Sequence, residues 1–372
     1  MNEHKTAFLF LDDGSIFNGE NIGFNQESSG EVVFNTSMTG YQEMLTDPSY
    51  GGQILIATYP LIGNYGINEY FNESSKIQVN GFIVRSICDY PFHNLSTSSL
   101  SEFLIDNKVP AISEIDTRAV TRKIRDKGVM KGLITIDSDK ERASRILDMA
   151  EDYDEKDFVS EVSTKKPYVY INPQEKNIRT KFNVVLIDLG VKRNILRILD
   201  SRDCKITVLP WNSSKETILS FNPDGIIFSP GPGDPSRLEN VVNVAKEIIG
   251  SVPIMGICLG HQIIARAFGF DTFKLHFGHR GGNQPVKDLL RGKVYPTAQN
   301  HGYAVKADSF NDDIEISHIN LNDQTISGLI NKKHSVITLQ YHSEASPGPQ
   351  DSEYLFDDFI TIMKNFNTKI KN

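Results

Sequence analysis

Apolar spacing divides the chain into three stretches. In the first, short apolar runs alternate with polar turns. Residues 6–11, 31–37, 53–57, 81–87, 109–112 and 130–136 read as strands, with Asp12-Asp13-Gly14 a turn and 39–40, 47–52 and 59–66 loop-rich. Leu100, Phe103 and Leu104 share one face of a predicted helix over 98–107. A second helix is predicted over 116–127, capped by Asp116 or Thr117 and closed by Gly128, and a third over 140–149. Residues 1–150 thus read as a mixed α+β domain. Residues 151–180, with a charged run followed by Pro167 and Pro173, read as a linker. From 181 onward, unbroken apolar runs at 182–189, 205–209, 225–229 and 252–257 alternate with helical patterns at 191–199, 214–220 and 237–249. Such alternation predicts an α/β domain over 181–372 with a mostly parallel sheet covered on both faces. Ligands of such sheets bind beyond the carboxyl ends of the strands.

The run at 252–257 leads into Gly256-Ile-Cys258-Leu-Gly260, after which Leu259, Ile263 and Ala267, with Ile264 and Phe268, recur at helical spacing up to Gly269. A strand turning sharply into a helix with a cysteine at the corner is the geometry of a nucleophile elbow. The helix N-terminus would favour negative charge on the sulfur or on an oxyanion. A buried structural cysteine is the competing reading. The loop Ser229-Pro-Gly-Pro-Gly-Asp-Pro235 either supplies a second oxyanion donor or is a stiff βα connection.

A nucleophilic thiol needs a base, and the base an orienting acid. His261 points along the helix of Cys258, and His276, His279 and His301 fall in glycine-rich loops. His342 follows a predicted strand at 335–341, with Glu344 two residues on and therefore on the same face of an extended segment. A Cys258/His342/Glu344 triad can be built, against the alternative of an ordinary polar strand end. The polar clusters 276–286 and 299–303 either cap a pocket or turn a hairpin. Gln262 and Asn300 are the side chains expected to read an amide or α-amino-acid substrate.

Composition narrows the class. The 372 residues are 39% hydrophobic and 23% charged, as in soluble globular proteins, and the net charge of −8 argues against nucleic acid or anionic membrane as main partner. Cys88, Cys204 and Cys258 give no disulfide framework and no metal pattern. No apolar run approaches the ~18 residues of a membrane span, and the first residues lack a signal core, so the expectation is a cytoplasmic protein. The cations of 116–125 read as a solvated face or a docking surface, and Cys88 as core.

Three segments resemble the signatures of class I (triad) glutamine amidotransferases: 256–262, 229–235 and Gln340-Tyr-His-Ser-Glu-Ala-Ser-Pro-Gly-Pro349. Residues 30–43, Thr46-Asp-Pro-Ser-Tyr50, Ile115-Asp-Thr-Arg118, 277–287 and Asn300-His-Gly-Tyr-Ala-Val305 resemble the small, glutamine-hydrolysing subunit family of carbamoyl-phosphate synthetases, over nearly the whole chain. The resemblance implies Cys258 as nucleophile, His342 as general base and then acid, and Glu344 as its orienting partner. It implies an oxyanion hole from the N–H groups of Gly231 and Leu259, and glutamine contacts from Ser49, Gly233, Gln262, Asn300, Gly302 and Tyr303. It also implies a separate large subunit that uses ATP, magnesium and bicarbonate and receives ammonia through a tunnel, with no cofactor and no metal on this chain, which has no Gly-x-x-x-x-Gly-Lys-Ser/Thr loop. Ser343 stands where the family usually has proline, Pro230 where this subunit commonly has asparagine, and Arg280 where histidine is frequent. None of these removes a reacting group. The rival readings are an amidotransferase serving another synthase, or a catalytically silent docking subunit.

Overall fold

Every residue of Gln53–Ala57 is buried, which a strand achieves only with neighbours on both edges and cover on both faces. The computed structural model, which describes residues 5–172, 180–306 and 313–371, supplies both. Two compact units are present, Met1–Lys156 and Asp157–Asn372.

In the first unit the strands are β1 (Thr6–Leu11), β2 (Ile16–Asn21), β3 (Ser28–Asn35), β4 (Gln53–Ala57), the short β5 (Leu61–Ile62), β6 (Gly81–Ile83), β7 (Ser86–Ile87), β8 (Ala111–Ser113) and β9 (Met130–Thr135). Seven of them close a barrel in the order β1-β2-β8-β6-β4-β3-β9, while β5 and β7 pair separately. The helices are α1 (Tyr41–Thr46), α2 (Leu100–Asp106), α3 (Thr117–Lys127) and α4 (Lys140–Met149). Ser99 and Glu102 form a capping box on α2, and the Asp116 carboxylate accepts from the Ala119 N–H at the start of α3, which ends at Gly128 with φ 95°. Arg118, Arg122 and Arg125 lie exposed on α3, and Cys88 is half-buried with its thiol donating to the Tyr90 carbonyl.

Several boundaries differ from the sequence reading. The predicted strand at 31–37 begins at Ser28, because Ser28–Val32 pair with β9, and ends where Ser37 N–H turns back onto the Asn35 side chain. The run at 81–87 splits into β6 and β7. The strand predicted from 109 starts at Ala111, after Pro110, which has no N–H for a ladder. Strand β2 and helix α1 were not predicted: β2 is polar and alternately exposed, and α1 is a single buried turn and a half.

In the second unit α5 (Phe158–Val162) and β10 (Tyr168–Val169) fall within the stretch read as a linker; its residues 173–179 lie outside the described residues. Then follow β11 (Phe182–Asp188), α6 (Arg193–Asp200), β12 (Cys204–Pro210), α7 (Lys215–Ser220), β13 (Gly225–Phe228), α8 (Glu239–Ile248), β14 (Ile254–Ile257) and α9 (Leu259–Ala267). The chain continues through β15 (Thr272–Asp288), β16 (Lys293–Val305), β17 (Glu315–Asn320), β18 (Ile326–Asn331), β19 (Val336–Leu339) and α10 (Tyr354–Lys371). One ten-stranded sheet runs β10-β12-β11-β13-β14-β19-β18-β16-β15-β17. Strands β12, β11, β13, β14 and β19 are mutually parallel, and the strands beyond β19 are antiparallel. The parallel strands are covered on one face by a cluster that includes α6 and α10, and on the other by one that includes α8 and α9. The glycine-rich segments read as loops are long strands instead: β15 and β16 pair from Thr272–Val305 to Asp288–Lys293, with two register shifts that absorb the glycines.

Candidate active site

Strand β14 ends at Ile257, and the next residue, Cys258, has a φ of 53° and a ψ of −105°, outside the regions open to ordinary residues. Such a backbone costs roughly 1–3 kcal/mol and persists only where its surroundings hold it. Here the Cys258 N–H donates to the Leu339 carbonyl at 2.7 Å, and its carbonyl accepts from Gln262 N–H at 3.2 Å. The glycines beside the cysteine allow the fold to close around it. A Cβ on Gly260 would sit 2.1 Å from the Phe228 carbonyl oxygen, and one on Gly256 would sit 2.7 Å from the Gly260 carbonyl oxygen. Helix α9 therefore presses directly onto β13 and β14, with the thiol at its N-terminus.

The thiol faces β16 and the end of β19. Cys258 Sγ lies 3.6 Å from the Asn300 carbonyl oxygen, and Gln340 Nε2 lies 3.8 Å from the sulfur. Beyond β19 the chain places His342, whose N–H donates to the Ala298 carbonyl on β16. His342 Nδ1 and Glu344 Oε1 are 2.6 Å apart, and both side chains are buried. His342 Nε2 makes no well-aligned hydrogen bond, yet the sulfur is close enough to act on the ring. Burial alone would drive the imidazole toward neutrality. Glu344 and Cys258 on its two sides outweigh that and raise it above its ordinary value, against an opposing push from Lys192. Burial likewise disfavours charge on Glu344, but Lys192 and His342 hold its carboxyl below the usual range.

Lys192 is a member of this site that periodicity did not reveal. It stands just before α6, only 2% exposed, with Nζ 3.1 Å from Glu344 Oε1 and donating to the Ala345 carbonyl. Asn194 Nδ2 donates to the Glu344 carbonyl. These two contacts pin the segment that carries Ser343, where the family's proline is missing. A lysine in the short connection between a buried parallel strand and its helix was the available signal, since lysine is almost never fully buried unless paired. Gln340 was also overlooked as a site residue; strand alternation puts it with Thr338 on the α9 face of β19.

The remaining candidates distribute as follows. Gly231 packs against the Leu189 carbonyl and the Leu259 side chain, and Leu259, first residue of α9, has an N–H with no intrahelical acceptor. The loop holding Pro230 and Gly231 is tied by Ser229: its hydroxyl accepts from Leu189 N–H and donates to the Pro230 carbonyl. Gly233 has φ 89°. Gln262 Nε2 donates to the Tyr303 carbonyl at 2.8 Å and to Gln340 Oε1 at 3.0 Å, so its N–H groups tie α9 to β16 and to the residue after β19. Gly302 faces Arg280, whose guanidinium is buried and donates to the Phe277 carbonyl. Ser49 belongs to the first unit, in a turn capped by Asp47, with its hydroxyl buried and without a hydrogen-bond partner.

The other histidines do different work. His261 Nδ1 bonds Thr338 Oγ1 at 2.8 Å, and burial with the nearby His318 pushes it down to about 3. His301 is bracketed by the Tyr303 carbonyl and Gln299 Oε1, and burial drives it well below its ordinary value. His279 pairs with Asp323 at 2.8 Å, and His276 is exposed. Among the described residues no group of His, Cys, Asp and Glu has the arrangement of a metal site, and no helix is long and apolar enough to cross a membrane.

Residues 185–362 match the family described as glutamine amidotransferase class-I, and residues 9–134 match the carbamoyl-phosphate synthase small chain, CPSase domain. A carbamoyl phosphate synthase small chain from Caldanaerobacter subterraneus is 48% identical over 96% of this chain and 96% of its own length. One of the same name from Bacillus cereus strain ZK is 49% identical with the same coverage of both. Another, from Staphylococcus haemolyticus, is 47% identical over 98% of each. Among solved structures, a glutamine amidotransferase from Thermotoga maritima matches 51% of this chain and 85% of its own at 18% identity, with a TM-score of 0.37.

Proposed function

The chain belongs to the carbamoyl phosphate synthase small chain family, and we propose that it hydrolyses glutamine through Cys258, His342 and Glu344 and hands the ammonia to a large synthetase chain. The observation that carries this reading is a thiol at a strained strand-to-helix corner beside a buried imidazole, which is itself held 2.6 Å from a buried carboxylate.

The sulfur of Cys258 attacks the carboxamide carbon of glutamine while His342 Nε2 takes the thiol proton. The oxygen becomes an oxyanion, which the N–H groups of Gly231 and Leu259 stabilise. His342 returns the proton to the leaving nitrogen, the C–N bond breaks, and ammonia departs from a glutamyl thioester. Water, losing a proton to His342, attacks the thioester and releases glutamate. Glu344 keeps Nδ1 of His342 protonated and stabilises the imidazolium of each step. Lys192 holds Glu344 ionised and in place.

Ser49, Gly233, Gln262, Asn300, Gly302 and Tyr303 are the proposed glutamine contacts. Within the second unit, the polar cluster around Asn300 supports that assignment. The partner chain, rather than this one, would bind ATP and magnesium and activate bicarbonate. Its need for a delivered nucleophile is chemical: ammonia released into water near pH 7 is protonated and no longer attacks. Protection of this kind requires the two chains to work as one assembly; neither a membrane nor nucleic acid is part of the proposal.

The test is to follow the amide nitrogen. The chain purified with its large partner is given amide-labelled glutamine, unlabelled ammonium, ATP and bicarbonate. Labelled carbamoyl phosphate is expected. Product drawn only from the ammonium, with no glutamate formed, would overturn the reading.

A further inference from the structure

One donor beside the sulfur of Cys258 has no part in the steps above. Gln340 follows β19 directly, is 1% exposed, and turns its side chain toward the start of α9. Backbone contacts fix its place. Gln340 N–H donates to the Ser327 carbonyl of β18 at 2.9 Å, and the carbonyl of Leu339, one residue earlier, accepts from Cys258 N–H at 2.7 Å.

The orientation of its amide follows from a chain of contacts that starts at a backbone carbonyl, which can only accept. Gln262 Nε2 donates to the Tyr303 carbonyl at 2.8 Å, which settles which end of the Gln262 amide is nitrogen. The second N–H of that nitrogen meets Gln340 at 3.0 Å and needs an acceptor there, so the nearer atom of Gln340 is Oε1. Nε2 of Gln340 is thereby turned to Cys258 Sγ, 3.8 Å away, and among the described residues the sulfur is its only hydrogen-bond partner.

Thiol and thiolate respond differently to this arrangement. As a thiol, Cys258 donates to the Asn300 carbonyl at 3.6 Å. Once the proton passes to His342, that carbonyl oxygen faces a negative sulfur and opposes it. The Gln340 N–H then offsets the opposition, because a hydrogen bond to a charged acceptor is roughly twice as strong as one between neutral groups. Its length in the resting site is no obstacle, since catalytic hydrogen bonds often shorten only as the reaction proceeds. In the thioester the sulfur is uncharged and the contact weakens; it returns when the thioester collapses and the thiolate leaves. An interaction stronger in the charged states than in the neutral ones between them accelerates both half-reactions.

We propose that Gln340 is a further catalytic residue, whose side-chain N–H, aimed by Gln262, stabilises the thiolate of Cys258 as nucleophile and as leaving group. The hold on the sulfur rests on geometry alone; its effect on turnover rests on the glutaminase reading.

The test titrates the thiolate directly, by its ultraviolet absorbance in the full chain minus that of Cys258→Ala, and needs no turnover. Gln340→Leu removes the donor and should move the titration midpoint up by about one pH unit, the shift expected for losing one hydrogen bond to a charged group. Gln340→Met serves if that variant does not fold. Thr338→Val alters the same face of β19, where the threonine hydroxyl meets His261 rather than the sulfur, and should leave the midpoint in place. In the complex with the large chain, Gln340→Leu should lower kcat/KM for glutamine about tenfold and move the acid limb of its pH profile upward with the thiolate midpoint. A midpoint that stays, falls, or moves equally in Thr338→Val would overturn the contact. A raised midpoint with kcat/KM unchanged would overturn the catalytic role. A wild-type complex that releases no glutamate would instead refute the function proposed above, and the titration would still decide whether Gln340 holds the sulfur.

Discussion

The two units solve the problem of strand ends in opposite ways. In the first, seven strands close on themselves, and residues such as Leu9, Val32 and Ile54 are wholly buried. Gly132 shows how tightly: a Cβ there would lie 2.4 Å from a Val32 methyl. In the second unit the parallel strands remain an open sheet, and the groups after β11, β14 and β19 converge beyond their carboxyl ends: Lys192, Cys258, and His342 with Glu344. A barrel filled by side chains spends its burial on packing, whereas an open sheet leaves a place where buried charges can be assembled. The reactive polar residues and the ion pair with the deepest burial accordingly sit in the second unit.

The largest expected effect is on chemistry without stability. Cys258→Ala should lower glutamine hydrolysis by at least a thousandfold, while the melting of both units stays near wild type. A steady-state assay with glutamate detection, beside calorimetric melting, checks both halves. If melting of the barrel unit fell instead, the division of labour between the units would be broken.

Next comes the buried pair. Glu344→Gln leaves Lys192 charged and without its carboxylate, and removing one member of a buried pair costs about 3–5 kcal/mol. It should also lower kcat by roughly 10²–10⁴, because the imidazole loses its orienting partner. Lys192→Met should destabilise in the same way. The double variant should be more stable than the sum of the two losses, since no lone charge remains. Denaturant unfolding of the set measures that coupling; strict additivity would mean that Lys192 and Glu344 do not act as a pair.

Acid separates the units more gently. His261, His301 and His318 have folded pKa values below the ordinary 6.5. Between that value and their folded pKa the unfolded chain binds more protons, so their contribution is present above about pH 6.5 and is lost as pH falls toward 4. Each such proton is worth about 1.4 kcal/mol per pH unit. His342 has the opposite sign: its folded value is raised, so its contribution is complete below about pH 6.5 and declines as pH rises. In the first unit the shifted carboxylates, Asp13, Glu27, Glu102 and Asp139, are all lowered from ordinary values of 3.8 or 4.5, so their loss begins only in stronger acid. Hydrogen exchange at pH 5, corrected for intrinsic rates and compared with pH 7, should show faster opening of β14, β18 and β19 and little change in β3 and β4. Equal loosening of both units would contradict the assignment of the buried histidines.

The smallest effect lies in the barrel unit. Asp116→Ala removes the cap of α3 and should cost about 1 kcal/mol, with glutamine hydrolysis unchanged. Thermal unfolding and the same assay check it.

The contrast between the units also explains what the sequence made legible. Parallel strands buried on both faces, such as Val184–Ile187, are unbroken apolar runs, and the cysteine corner is written in Gly256 and Gly260 because no other residue fits against the neighbouring backbone. The antiparallel half was less readable. Strand β15 carries Gly278, Gly281 and Gly282, which resemble turns until the register shifts of its pairing with β16 give them a place in a ladder. Strand β2 is polar because most of it is open to solvent. Lys192 was hidden for a different reason: its role depends on Glu344, more than 150 positions away in the chain, and no local pattern reports a contact at that range.

The central claim is that Cys258 becomes acylated by glutamine. Its most direct test is rapid acid quenching of the full chain during turnover of isotopically labelled glutamine, followed by mass spectrometry of its peptides. One glutamyl group on the peptide containing Cys258, lost on treatment with hydroxylamine and absent from Cys258→Ser, is the predicted result. Glutamate released at the normal rate with no label on Cys258, or with label on another residue, would contradict it.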